Sequence, residues 1–253
     1  MRISIGIVFM NKINFDYKKG DKDTVIVFLH GWGIDGSSFN KIIGSLSSDM
    51  SILKIDLPGF GLSDEPKEYF DTHEYAYQIF LLLKKLSICN IVLVGHSFGG
   101  RLAILLSSIF DINVRALFLT SSAGLNRFNL IRWIKIKKYK ILKKLVKCNI
   151  LNDAVLLKFG SSDYQNANII LKIVLKKVVN QDLSIFIKMI KIKDVYLVWD
   201  KGDKETGFWI CKKLHRHIKY SKIIIYNSGG HFAAFKNFRK FSRLLTDVYN
   251  KVS

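Results

Sequence analysis

Two short stretches of this sequence could do chemistry together: a serine set among glycines in Gly95-His96-Ser97-Phe98-Gly99-Gly100, and a histidine behind paired glycines in Ser228-Gly229-Gly230-His231-Phe232. A serine hydroxyl attacks a carbonyl only when a base takes its proton, and an imidazole base needs a carboxylate to fix its tautomer. Between them in chain order, Trp199-Asp200-Lys201-Gly202-Asp203 offers two carboxylates. Asp203 is preferred because it lies in the loop beyond the last strand position, with Asp200 open as the alternative and Asp56, after a neighbouring strand, as the outsider. The chemistry would be acyl transfer, whose oxyanion needs two backbone amides. Phe98, directly after Ser97, can supply one, and Trp32 in His30-Gly31-Trp32-Gly33 is placed to supply the other. His30, Gly31, Gly33 and His96 are assigned to the substrate-binding wall. His215 and His217 read as solvated helix residues, and His73 lies near a helix start.

The elements that must position these groups follow from periodicity. Ile91 to Val94 is a continuous apolar, β-branched run, the pattern of a strand covered on both faces of a parallel sheet. Arg101 to Phe110 carries good helix formers. A strand running through a Gly-x-Ser-x-Gly turn into a helix predicts a nucleophile elbow, with glycines where strand and helix approach too closely for a Cβ. Strands are predicted over residues 3–9, 12–17, 24–29, 51–55, 114–120, 195–199 and 222–226. Helices are predicted over residues 37–46, 72–86, 207–218 and 232–252. Strands alternating with helices give βαβ units. The expected fold class is therefore α/β: a mainly parallel, eight-stranded twisted sheet with helices on both faces. Residues 125–190 break the rhythm, being helical and lysine-rich, and are predicted to be a helical cap inserted between core segments 1–124 and 191–253.

Composition bounds the rest. A chain of 253 residues, 49% hydrophobic and 24% charged, buries a large single core and is not disordered. The formal charge of +20 rests mostly on lysine. No helix-turn-helix, zinc-finger or RNP pattern accompanies it, so no nucleic-acid partner is expected. Cys89, Cys148 and Cys211 are odd in number and widely spaced, which predicts neither disulfide nor metal site and fits a reducing, cytoplasmic compartment. No cofactor is expected. The apolar start reads as a strand rather than a signal peptide, with Met1 or Met10 as the natural start. In the cap, Lys137, Lys140, Lys143, Lys144 and Lys147 fall within an arc of roughly 120° of a helix over 131–147. Ile134, Ile141, Leu142 and Leu145 gather on the other side. This is read as a solvated basic face, or as a dock for an acidic acyl-carrier protein or an anionic membrane surface.

Taken together, His30-Gly31-Trp32-Gly33, Asp56-Leu57-Pro58-Gly59-Phe60-Gly61, the serine turn, Trp199 through Asp203 and Gly230-His231-Phe232 resemble the α/β-hydrolase superfamily over nearly the whole chain. The resemblance implies a catalytic triad of Ser97, Asp203 and His231, an oxyanion hole of the Trp32 and Phe98 amides, and a helical lid. Asp200 stands where relatives usually have glycine, and Gly207 where proline often follows the acid. Ser97 at the turn separates the chain from haloalkane dehalogenases and epoxide hydrolases, which carry aspartate there. The expected function is a serine hydrolase cleaving a small-molecule carboxylic ester through an acyl-enzyme. A thioester or a carbon–carbon bond beside a carbonyl would use the same machinery, and a binding protein with a dormant triad is the non-enzyme alternative.

Overall fold

The computed structural model describes residues 12–66, 69–126, 130–148, 150–152, 155 and 162–253, with backbone alone at 130–136 and 162. Its strands are β1 (Phe15–Lys18), β2 (Val25–Leu29), β3 (Ser51–Ile55), β4 (Asn90–His96), β5 (Asn113–Thr120), β6 (Val195–Trp199) and β7 (Ser221–Ile225). They form one sheet in the order β1-β3-β2-β4-β5-β6-β7, seven-stranded among the described residues. Only β1 is antiparallel. The eighth strand expected over residues 3–9 lies outside the described residues. Because β2 pairs with both β3 and β4, successive crossovers leave it in opposite directions, and the topological switch point falls between β2 and β4.

Alternation along each central strand divides the core in two. Val25, Val27, Leu29, Ile91, Leu93, Leu117, Leu119, Leu197 and Trp199 face α2 (Thr72–Lys85), α3 (Phe98–Leu106) and α8 (Phe208–His217). Ile26, Phe28, Val92, Val94, Phe118 and Val198 face α10 (Phe238–Val252), whose Phe241, Leu245, Val248 and Tyr249 recur at helical spacing. Strands buried on both faces explain the unbroken apolar runs.

Element boundaries differ from the sequence expectation where side chains compete for backbone groups. The helix expected over 37–46 is a 3-10 turn, Gly36–Phe39, followed by the short α1 (Asn40–Ile43), because Asp35 rather than Ser37 caps it, accepting from the Ser37 amide at 2.8 Å. The closing helix expected over 232–252 is broken at Asn237 into α9 (Ala233–Lys236) and α10. There the Asn237 amide nitrogen donates to the carbonyls of Ser228 and Ala233, both at 2.9 Å.

Between β5 and β6 the chain runs through α4 (Leu130–Lys147), α5 (Ser162–Asn166), α6 (Ile169–Asn180) and α7 (Ser184–Met189). Lys137, Lys140, Lys143, Lys144 and Lys147 of α4 are exposed, while Leu142 and Leu145 are half-buried. The end of α6 is tied to the core through Gln181. Its carbonyl accepts from Arg101 of α3 at 2.8 Å, and its side chain accepts from the Thr72 amide and donates to Asp71. Among the described residues no helix is long and apolar enough to cross a membrane.

Helix α3 leans on the sheet with almost nothing between them. A Cβ on Gly99 would overlap the Leu29 carbonyl oxygen and stand 2.6 Å from that of His30. Gly99→Ala is therefore expected to destabilise the fold by about 1–3 kcal/mol or more, as overpacking of a rigid contact does. Denaturant unfolding checks this, and a variant as stable as the parent would contradict the packing.

Candidate active site

Strand β4 ends at His96 and α3 begins at Phe98, so the whole reversal falls on Ser97. Its backbone is forced to φ 50° and ψ −107°, a left-handed conformation that costs a non-glycine residue about 1–3 kcal/mol. The surroundings enforce it: a Cβ on Gly95 would stand 2.6 Å from the Gly99 carbonyl oxygen, and the Ser97 carbonyl accepts from Gly100 and Ala123, both at 3.1 Å. Ser97 is thereby lifted to the carboxyl edge of the sheet at the switch point, half-buried. The Phe98 amide opens α3, where no earlier carbonyl is in helical reach. The loop after β2 lies against it, since a Cβ on Gly31 would stand 3.3 Å from the Ser97 Cβ. The Trp32 ring packs edge-on against Phe60 and Phe98.

Beyond β7, Gly229 (φ 107°) and Gly230 (φ 55°) turn the chain so that His231 points back over the sheet. Its Nδ1 lies 3.1 Å from Asp203 Oδ2, with both side chains nearly shielded from solvent. His231 Nδ1–H donates to this carboxylate, which leaves Nε2 on the other side, 3.4 Å from Glu205 Oε2. Asp203 is itself held. Oδ1 accepts from the amides of Glu205 (2.9 Å) and Thr206 (3.0 Å), and the Thr206 hydroxyl lies 2.8 Å from Oδ2. Burial alone would raise the Asp203 pKa, but His231 and Thr206 hold it below the ordinary carboxylate value.

Asp200 does a different job. Its two oxygens accept from the amides of Gly202 and Gly230, each at 2.8 Å, so it fixes the loop that delivers His231. Asp56 likewise anchors loops, accepting from Gly36 N, Asn14 Nδ2 and Leu62 N. Burial would raise its pKa, and those hydrogen bonds hold it low. Neither carboxylate touches His231, whereas Asp203 does.

His30 and His96, assigned from sequence to the substrate wall, are both buried. The two ring nitrogens of His30 are occupied, Nδ1 by the Gly31 carbonyl at 2.7 Å and Nε2 by the Leu57 amide at 2.9 Å. It therefore pins the loops after β2 and β3 together instead of presenting a nitrogen to a ligand. His96 bonds the Thr120 carbonyl through Nδ1 at 3.1 Å and lays its ring 4.9 Å from that of His231, a wall for the imidazole. Burial pushes His30 down to about 4 and His96 down to about 3, so both are neutral in the fold.

Three neighbours of the site escape a sequence reading. The Thr206 hydroxyl sits 3.2 Å from His231 Nδ1 and 2.9 Å from the Ser121 carbonyl, beside Asp203. The only signal for it is an aspartate followed three residues later by threonine, a common turn pattern. Glu205 Oε2 stands 3.4 Å from His231 Nε2. Asp163, from α5, places Oδ1 3.7 Å from where a Cβ of Gly33 would be. Among the described residues no group of three or more His, Cys, Asp or Glu is arranged to hold a metal ion.

A strained serine at a strand-to-helix turn, with a carboxylate-held imidazole beyond the last strand of a mainly parallel sheet, defines the architecture of an α/β hydrolase. A family model of the α/β hydrolase fold matches residues 24–137. The AB hydrolase superfamily protein YisY of Bacillus subtilis is 25% identical over 89% of this chain and 91% of its own length. A probable serine hydrolase of Drosophila melanogaster is 35% identical over 39% of this chain, which spans only 31% of that longer protein. Among solved structures, an esterase of Exiguobacterium antarcticum superposes with a TM-score of 0.72 at 21% identity, covering 94% of this chain and 96% of its own. The chain has the α/β-hydrolase fold, and the proteins it is similar to carry names of hydrolases and esterases.

The two neutral histidines make stability depend on pH. Unfolding returns each to its ordinary value near 6.5, so below that pH the unfolded chain binds protons the folded one refuses. Stability is expected to fall as pH drops from about 6.5 toward 4, each histidine adding up to ~1.4 kcal/mol per pH unit. His30→Gln should remove one such increment from the slope between pH 6.5 and 5, read from urea unfolding; an unchanged slope would contradict its neutral burial.

Proposed function

We propose that this hydrolase cleaves a carboxylic ester through an acyl-enzyme, with Ser97, His231 and Asp203 as its triad. The observation that carries the reading is the pairing of an elbow serine at φ 50° with a shielded His231–Asp203 contact of 3.1 Å at the same sheet edge. Ser97 Oγ attacks the ester carbonyl carbon and its proton passes to His231 Nε2. The imidazolium that forms is stabilised by Asp203, held ionised by its own hydrogen bonds. The oxyanion is received by the Trp32 and Phe98 amides. Collapse expels the alcohol, which takes the proton from His231, and water then repeats the sequence to release the acid. The inserted helices α4 to α7 act as the cap under which the substrate lies. Asp163 of α5, beside Gly33 of the oxyanion loop, is the feature that supports this.

Fluorophosphonate labelling followed by mass spectrometry tests the proposal, with Ser97 expected as the modified residue; no labelling there would overturn it. Ser97→Ala and His231→Ala should each lower ester turnover by about a thousandfold or more with the fold intact, since neither fills the core. The two aspartates should separate. Asp203→Asn disturbs the tautomer and is expected to cost turnover heavily. Asp200→Asn keeps an acceptor for the Gly230 amide and is expected to be mild. Steady-state kinetics on a soluble ester reads both, and the reverse order would move the role to Asp200.

A further inference from the structure

The protein carries a formal charge of +20, yet its candidate site is flanked by two carboxylates that the acyl-transfer steps do not use. Glu205 Oε2 lies 3.4 Å from His231 Nε2, the atom that must trade protons with Ser97 and with the leaving group. Its side chain is 64% exposed, so it lines the opening and not the core. Asp163 stands beside the loop after β2, with Oδ1 3.7 Å from the Cβ position of Gly33. Burial raises its pKa and His231 draws it down, which places the imidazole within range of its charge. Among the described residues no lysine or arginine forms an ion pair with either carboxylate, and Glu205 pairs with His231 alone.

A reacting carbonyl has to sit within about 3 Å of the serine oxygen, whose proton the base reaches, so Glu205 against the base and Asp163 beside the loop after β2 fall within a few bonds of it. Across a gap of about 4 Å, even at a site open to water, repulsion of a like charge and attraction of an opposite one together make about a tenfold difference in affinity or more. The basic surface acts in the other sense, drawing anions from a distance, but that pull is screened over about 8–10 Å in physiological salt. Close contact therefore decides.

We propose that Glu205 and Asp163 are specificity-determining residues that select esters bearing a cationic group within a few bonds of the scissile carbonyl and reject esters bearing a carboxylate there. The inference rests on the hydrolase reading above and deepens it by naming a substrate class. An ammonium group seated between the two would also give Glu205 a partner other than His231, leaving Nε2 to Ser97.

Three fluorophosphonates of matched length, with trimethylammonium, carboxylate and uncharged tails, test it on the whole protein in physiological salt. The rate constant for modification of Ser97 is read by mass spectrometry. The cationic probe is expected to react at least about tenfold faster than the anionic one. Glu205→Gln and Asp163→Asn should each shrink that ratio, and the double variant should bring it near one. A ratio of two charged probes cancels any general loss of reactivity. Asp111→Asn, which removes a fully exposed charge at the other end of α3, should leave the ratio alone. An uncharged probe that labels Ser97 beside charged ones that do not differ, or that favour the carboxylate, would overturn the proposal, as would a ratio preserved in the double variant. Failure of all three probes would overturn the hydrolase reading itself, and this inference with it.

Discussion

The arrangement depends on one steric constraint, the contact of α3 with the carboxyl ends of β2 and β4 without intervening side chains. Gly99 donates to the His30 carbonyl at 2.9 Å, and Gly95 faces the Gly99 carbonyl and Ala103. Strand and helix can meet so closely only if the linking residue takes a backbone angle that serine resists. The energy of that strain is drawn from the two hydrophobic layers, in which every central strand is covered on both sides. A loosely packed sheet could not hold Ser97 where it is. Tertiary packing thus dictates a local conformation that no propensity favours, and it does so at the switch point, where neighbouring crossovers diverge and leave a crevice.

Around that fixed point the site is assembled by polar groups that do no chemistry. Asp200 holds the Gly230 amide, Asp56 ties three loops, His30 bridges the ends of β2 and β3, and Thr206 braces the Asp203–His231 pair. Each is a buried or half-buried group whose hydrogen bonds are satisfied by backbone from another segment. Losing one such partner leaves a desolvated donor or acceptor behind, which costs about 1–3 kcal/mol and shifts the loop as well. Precision in the imidazole's position is therefore spread over residues from three different strand ends.

The fold is legible in the sequence because its signals are local. Apolar runs of five to seven residues, each closed by glycine or a loop, mark the central strands, and the serine turn marks their edge. The pairing of Asp203 with His231 is legible too, since a carboxylate lying in a loop, beyond the strand's last residue, has room to turn toward a neighbouring strand end. What the sequence hides is spatial. His30 reads as a ligand-facing residue because histidine near glycines is chemically suggestive, and only the structure shows both its nitrogens taken by backbone. Glu205 and Asp163 are ordinary acids, one in a loop and one in the short α5, until folding brings them from positions 42 residues apart to the neighbourhood of the same imidazole. The break at Asn237 is hidden for the same reason, its amide being spoken for by the distant Ser228 carbonyl.

The polar junction at the foot of the inserted helices has a wider meaning. Gln181 joins the end of α6 to Arg101 of α3 and to Thr72 and Asp71 at the start of α2. The junction is a polar plug in a fixed socket, and beside it Val174 and Val178 of α6 and Ile187 of α7 are buried in the same core as α3. Such a joint separates two histories. The socket and the elbow are bound to each other through α3 and must change together with α6 and α7, whereas α4, whose described side chains are exposed or half-buried, is free to drift in charge and shape. A lineage can then rewrite one stretch of its surface while the packing beneath it is inherited intact.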